Sequence, residues 1–323
     1  MRLIGLAYRK ALDTWKIYWE LVRIVVPVTV ATQILSELGV IAAMAPVLEP
    51  VMGLFGLPPD LGLAWLTAML VGIWSSVPLV FVLVDPASLT VADITIFSSL
   101  VLFTHALPIE QKIIQKAGPG FIITTALRVL GGAAYAMILH QICSRTGWLS
   151  EPLNPAWMPM SGTTDWLGFF LGLAETLAWM LVILVALAWG LDLLKYSGAM
   201  RWVNMLLDPF LGLSGIKGEA RPLTAIGLFL GISYGGGLLI REARTGSISP
   251  RQIFASCAFM GFAHGIIEDT LVVMAIGADF SAVFLGRIAF AMVATWLIVR
   301  FLHRAPDDLF FAWLFPRRRA LAD

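Results

Sequence analysis

"LVLFTHALPIEQKII", residues 100–114, sets a histidine, a proline and a glutamate inside an apolar run, and "AFMGFAHGIIEDTL", residues 258–271, does the same with a histidine, a glutamate and an aspartate. Whether these runs lie in lipid decides the fold. A charged side chain at the centre of a bilayer costs about 2.5–3.5 kcal/mol on the insertion scale, so such groups are rare and face a protein interior or a wet cavity. The rest of the chain says that the runs are membrane-buried: 59% of the 323 residues are hydrophobic and 13% charged, where soluble domains carry about 25% charged residues. Apolar runs recur near residues 20–38, 63–84, 94–107, 119–142, 166–193, 222–240, 253–277 and 281–302, most of them close to the ~20 residues that a spanning helix needs. Alternating segments of about ten residues, the mark of a membrane barrel, do not occur. The expected fold is an all-α polytopic membrane protein.

The two quoted runs are copies of one another. Sliding the chain by 159 positions aligns Gly39–Arg128 with Gly198–Arg287 without a gap, with 16 of 90 positions identical. "VLEPVMGLFGL" (47–57) falls on "LLDPFLGLSGI" (206–216), Gly72 on Gly231, Phe103 on Phe262, His105 on His264, Glu110 on Asp269 and Arg128 on Arg287. His and Arg are scarce here, so their coincidence carries the weight. Tandem halves of this kind are common in transporters. The expected organisation is an N-terminal amphipathic segment (1–19), a first repeat (20–143), an external linker (144–165), a second repeat (166–303) and a basic cytoplasmic tail (304–323). The first segment has no compact apolar core with a cleavage site, so it is expected to be retained.

The basic residues report on orientation, because cytoplasmic flanks are enriched in Lys and Arg. If all four runs of a repeat cross, the halves are parallel. If the third run, the one quoted above, enters and returns on one side, each half crosses about three times and the halves are inverted. The second scheme segregates the basic residues better, although it strands Arg241, Arg244 and Arg251 outside. It puts both termini in the cytoplasm of a bacterial inner membrane. Pro108 supports a break in the first copy, since proline removes a backbone donor and clashes with the preceding turn.

Each half then offers a histidine, a carboxylate five residues on and an arginine in the next helix: His105, Glu110 and Arg128, then His264, Asp269 and Arg287. Glu268 joins the second set, on the His264 face if the segment is helical; its counterpart is Ile109. The functional reading is a midplane site at the repeat interface, where the arginines attract a small polar or anionic solute and His titrates near neutrality, suited to proton coupling. The bland reading pairs Arg128 with Glu110 and Arg287 with Asp269 purely to hold helices together. His264, Glu268 and Asp269 could chemically ligate a divalent ion, but the neighbouring arginines oppose it, and no metal site is assigned. One helix earlier, "GISYGGGLLIRE" (231–242) and "GIWSSVPLVFVL" (72–83) lower helix propensity at matching depth, making Ser75, Ser76, Tyr234, Gly235 and Gly236 candidate lining residues. Close packing through small residues is the alternative.

A net charge of +1 argues against nucleic acid as a partner; the expected partners are the lipid bilayer and a small-molecule solute, with homo-oligomerisation left open. Cys143 and Cys257 show no metal-ligand spacing. Neither a phosphate-binding Gly-rich loop nor an HExxH segment is found, so the expectation is a protein that is not an enzyme and needs no cofactor.

The arrangement of "EPVMGLFGL" or "DPFLGLSGI", a Gly-containing helix, then "FTHALPIEQ" or "FAHGIIEDTL" resembles the nucleoside-recognition (Gate-domain) membrane proteins. That domain is shared with spore-maturation membrane proteins, the membrane part of ferrous-iron permeases and concentrative nucleoside transporters. The resemblance covers most of the chain and implies inverted repeats and secondary solute transport, with nucleosides as one cargo class. A divalent-metal permease and a non-transporting membrane assembly factor are the alternatives. The chain lacks the GTP-binding domain of the iron permeases and has no cysteine in its candidate gate helices.

Overall fold

The computed structural model describes residues 2–155, 157, 158, 165–218 and 220–316. In chain order the helices are α1 (Arg2–Glu37), α2 (Val40–Gly53), α3 (Leu61–Leu70), α4 (Ile73–Leu83), α5 (Val91–Thr104), α6 (Leu107–Ala117), α7 (Phe121–Thr146), α8 (Trp166–Tyr196), α9 (Ala199–Leu213), α10 (Ala220–Thr245), α11 (Pro250–Ala263), α12 (Glu268–Ala275) and α13 (Arg287–Arg304), the last preceded by a π-helical turn at Ser281–Gly286. Six stretches are long and apolar enough to cross a bilayer: Thr14–Glu37, Val91–Ala117 and Phe121–Thr146, then Trp166–Ala186, Pro250–Ala275 and Ser281–Arg304. The chain is a multi-pass, all-α membrane protein. The amphipathic start and the first span are one continuous helix, α1.

Positions 159 apart share local geometry. Thr90 caps α5 and Ser249 caps α11 through their hydroxyls, which accept from the otherwise unpaired first-turn amides. Leu57 N–H reaches Met52 O as Ile216 N–H reaches Leu211 O, and Gly56 and Gly215 take left-handed conformations at φ 68° and 85° after α2 and α9.

The third run of each half is broken but does not fold back. α5 ends at Thr104, His105 is extended, and Ala106 turns left-handed (φ 50°) before α6 begins. Likewise α11 ends at Ala263, His264 is extended, and Gly265 takes φ 58°. Pro108 sits in the first turn of α6, where its missing N–H is no loss. The left-handed residue makes the break, which is why the second copy breaks at the same place without a proline.

Backbone contacts fix the direction of these segments. The start of α5 is clasped by the linker (Val91 N–H to Glu151 O, Ala92 N–H to Leu149 O), and the linker also reaches the end of α12 (Trp157 N–H to Ala275 O). On the opposite side the end of α6 meets the C-terminal region, through Gly120 N–H to Leu314 O, and the start of α11 meets it too, through Arg251 to Ala305 O and Asp307. Both broken segments therefore run the full depth of the fold, and they run antiparallel.

The element that returns is the second run. As a straight helix the 26 residues of α10 would extend about 39 Å. Yet Lys217, just before α10, donates to Gln252, just after the start of α11, and residues 246–249 can bridge only about 17 Å. The chain folds back at Gly231, whose φ and ψ are 73° and 168°. In the first half the counterpart is split outright: α3 and α4, of 10 and 11 residues, pack against each other around Gly72 at φ 143°. This corrects the expectation that the third run is the hairpin, while three candidate crossings per half remain. It also returns residues 241, 244 and 251 to the C-terminal side.

Close packing near the breaks depends on glycine. A Cβ on Gly132 of α7 would lie 2.8 Å from Phe103 Cβ, whereas one on Gly190 of α8 meets nothing within 4 Å. Gly132→Val is expected to destabilise the protein by about 1–3 kcal/mol through overpacking, with Gly190→Val near neutral, as read by thermal unfolding in detergent.

Candidate functional site

The two breaks meet in the interior. His105 Nε2 and His264 Nε2 stand 3.2 Å apart, with the ring centroids at 4.8 Å. Each ring is anchored from behind: His105 Nδ1 to Val101 O at 3.0 Å and His264 Nδ1 to Met260 O at 2.8 Å. A carbonyl only accepts, so both Nδ1 atoms carry hydrogen, and in the neutral rings both Nε2 lone pairs point at each other. The carboxylates cross over. Glu110 Oε2 lies 3.1 Å from His264 Nε2, and Asp269 Oδ2 lies 3.5 Å from His105 Nε2. Glu110 Oε1 is farther from its own half's histidine, at 4.0 Å. Side-chain exposure is 7% for His105, 1% for His264 and 6% for Glu110, but 13% for Asp269, so the centre is least covered on the Asp269 side.

The arginines do something the sequence did not reveal. Breaking a helix orphans its last carbonyls, and these are what the guanidinium groups bind. Arg128 donates from Nε to Phe103 O (2.6 Å) and from Nη2 to His105 O (2.9 Å), keeping Nη1 for Glu110 Oε2 (2.6 Å). Arg287 donates from Nε to Phe262 O (2.8 Å), and from Nη2 to His264 O (2.9 Å) and across to Leu102 O (3.0 Å). The expected Arg128–Glu110 pair is present. Arg287 makes no ion pair with Asp269 among the described residues, because its donors are turned to carbonyls; its Nη1 has no hydrogen-bond partner there.

Aromatic rings seal the arginine layer. Phe103, Phe262, Phe290 and Tyr135 pack at centroid distances of 5.2–6.0 Å, and Tyr135 donates to Ala282 O across the halves at 2.6 Å. Tyr135 and Phe290 escaped sequence reasoning because their positions 159 away are Ala294 and Gly131. The signal was there in complementary form: a Cβ on Gly131 would meet Phe262 at 2.7 Å. Gln111, also missed, is buried with Oε1 unpartnered among the described residues.

The remaining sequence candidates lie apart. Ser75 and Ser76 are buried in the first turn of α4, which rests on α1 and α3, and Ser76 Oγ has no partner among the described residues. Glu268 is half-buried in the first turn of α12 and does not join the donors. Tyr234, Gly235 and Gly236 belong to the helical backbone of α10, but their side chains lie outside what is described. The metal-ligand set weighed from the sequence, His264, Glu268 and Asp269, is replaced by His105, His264 and Asp269, whose donor atoms all lie within 4.8 Å of one another.

Around this centre the two halves are not packed alike. On the C-terminal side α10 is seated on α6; on the linker side α12 rests on α5, and among the described residues α3 and α4 touch it far less than α10 touches α6.

The chain is 24% identical over 288 residues to "Uncharacterized membrane protein YvoD" of Bacillus subtilis (strain 168), an alignment covering 87% of this chain and 89% of that protein. The similarity is to a membrane protein. No protein-family profile matches, and no solved structure matches.

Proposed function

We propose that this protein is a secondary carrier that moves a small polar solute by alternating access around the His105–His264 centre. The observation that carries the reading is the meeting of two antiparallel broken helices whose ionisable tips pair across the halves. Non-helical backbone at membrane depth is tolerated only inside protein or beside water, and inverted-repeat carriers build their sites from such discontinuous helices at the midplane. The unequal packing is what one end state of a rocking pair requires: α10 closes on α6 while α3 and α4 pack far less on α12, so the linker side is the less tightly closed of the two. The C-terminal side, with Lys217, Arg251, Arg300 and Arg304, is the cytoplasmic face by the positive-inside bias, so the less tightly closed side faces outward. An assembly factor needs none of these charges facing one another. An anionic or nucleoside-like cargo is supported only by the free Nη1 of Arg287.

Inversion and crossing are tested together by Lys112→Cys and Leu271→Cys, exposed positions 159 apart on α6 and α12, in a background with Cys143 and Cys257, both buried, replaced by alanine. A membrane-impermeant maleimide is expected to label position 271 from the linker face and position 112 from the opposite face. Labelling of both from one face would defeat the inverted arrangement. Uptake into proteoliposomes of labelled nucleosides, organic anions and divalent metals then tests transport; a folded protein that accumulates none of them under any ion gradient would defeat the carrier reading.

A further inference from the structure

We infer that the central site takes a divalent transition-metal ion, ligated by His105 Nε2, His264 Nε2 and the Asp269 carboxylate, with Glu110 as an outer partner. The inference rests on the carrier reading and names its cargo. Two imidazole lone pairs facing each other at 3.2 Å repel unless a proton or a metal ion lies between them. Two of the three spacings suit a metal ion as they stand: bonds of about 2.0–2.1 Å in tetrahedral geometry hold neighbouring donors roughly 3.3 Å apart, and here the separations are 3.2 Å between the two nitrogens and 3.5 Å from His105 Nε2 to Asp269 Oδ2, while the third, from His264 to Asp269, is longer but within 4.8 Å and closes by a turn of the Asp269 side chain. The hydrogen bonds from both Nδ1 atoms to carbonyls are the outer contacts by which metal-bound histidines are oriented. Two imidazoles and one carboxylate favour a borderline ion such as Zn²⁺ or Co²⁺ over Mg²⁺, which prefers an all-oxygen, hydrated shell.

The charge balance, read in full, permits this. Arg128 is neutralised by Glu110 and turned toward the carbonyls of Phe103 and His105; Arg287 is turned toward those of Phe262, His264 and Leu102. Among the described residues the Asp269 carboxylate accepts no hydrogen bond, and its nearest basic neighbour is His105 Nε2 at 3.5 Å, so its oxygens are uncommitted. It is also the least buried of the four, on the side where α12 is less tightly packed. An ion arriving from the linker side meets Asp269 first and the paired imidazoles next.

The test uses the full chain purified in detergent, with Zn²⁺, Co²⁺ and Mg²⁺ as probes. Zn²⁺ and Co²⁺ are expected to bind near one ion per chain and raise the unfolding temperature, since a ligand of the native state stabilises it; Co²⁺ should show ligand-field bands of a four-coordinate nitrogen and oxygen site, and Mg²⁺ should do neither. Asp269→Asn should weaken Zn²⁺ binding by about tenfold or more, while Glu268→Gln leaves it unchanged. His264→Ala should abolish Zn²⁺ binding; if it fails to fold, His264→Gln, which keeps the side chain's bulk, should show the same loss. Absence of binding, or Asp269→Asn binding Zn²⁺ like the parent, overturns the inference. The two readings separate in proteoliposomes: uptake of another solute without metal binding sinks the metal and leaves the carrier, whereas metal binding at these residues without passage of any solute keeps the site and sinks the carrier.

Discussion

Arg128→Met should lower stability by about 3–5 kcal/mol, because removing one partner of a buried ion pair strands the other. Arg128 is 1% exposed, and its guanidinium holds Glu110 together with the carbonyls of Phe103 and His105. Stability of the folded monomer in detergent, measured by thermal unfolding with size-exclusion profiles, is the readout. The double variant Arg128→Met/Glu110→Gln should recover part of the loss, since no net charge is then buried alone. Recovery stays incomplete because two carbonyls at the end of α5 keep no donor, and an unsatisfied buried polar group costs about 1–3 kcal/mol. Complete recovery would mean that Arg128 acts only as a counter-ion and that its grip on the break is incidental.

Arg287→Met should be as damaging, for a different reason, and should not be rescued in the same way. Its hydrogen bonds go to the carbonyls of Phe262, His264 and Leu102 and none to Asp269. At about 1–3 kcal/mol for each carbonyl left without a donor, the loss reaches several kcal/mol. Asp269→Asn should restore none of it. A rescue comparable to that in the first half would show that Arg287 and Asp269 pair after all, and would return the symmetrical ion-pair scheme that the sequence suggested.

The contrast shows where sequence reasoning reached and where it stopped. Composition and hydropathy were enough for an all-helical membrane protein, and the 159-residue offset was enough to align His105 with His264, which the fold brings to 3.2 Å. The misread element is the returning one. Pro108 drew attention to the third run, but a proline in the first turn of a helix is compatible with a segment that carries on. The turning is done by Gly72 and Gly231, whose backbone conformations favour glycine but leave hydropathy untouched. The pairing was misread for another reason. Offset and spacing place charges in sequence, but nothing in them tells that Glu110 and Asp269 each reach the histidine of the other half. Nor does a count of arginines reveal that each is occupied with the carbonyls of a broken helix. Arg241, Arg244 and Arg251, awkward when the wrong run was folded back, fall into place once α10 returns.

The crossed carboxylates also bear on how the chain is made. Synthesis proceeds from the N-terminus, and early segments fold first. Glu110 enters the lipid with Arg128 only 18 residues behind it, so the first half can be threaded into the bilayer with its acid already neutralised. Asp269 has Arg287 at the same spacing, but that arginine is turned to carbonyls, and Asp269 finds its basic neighbour in His105, 164 positions earlier. In the finished fold the second half's acid therefore leans on a partner that the ribosome has already delivered, whereas the first half's acid is matched within its own half.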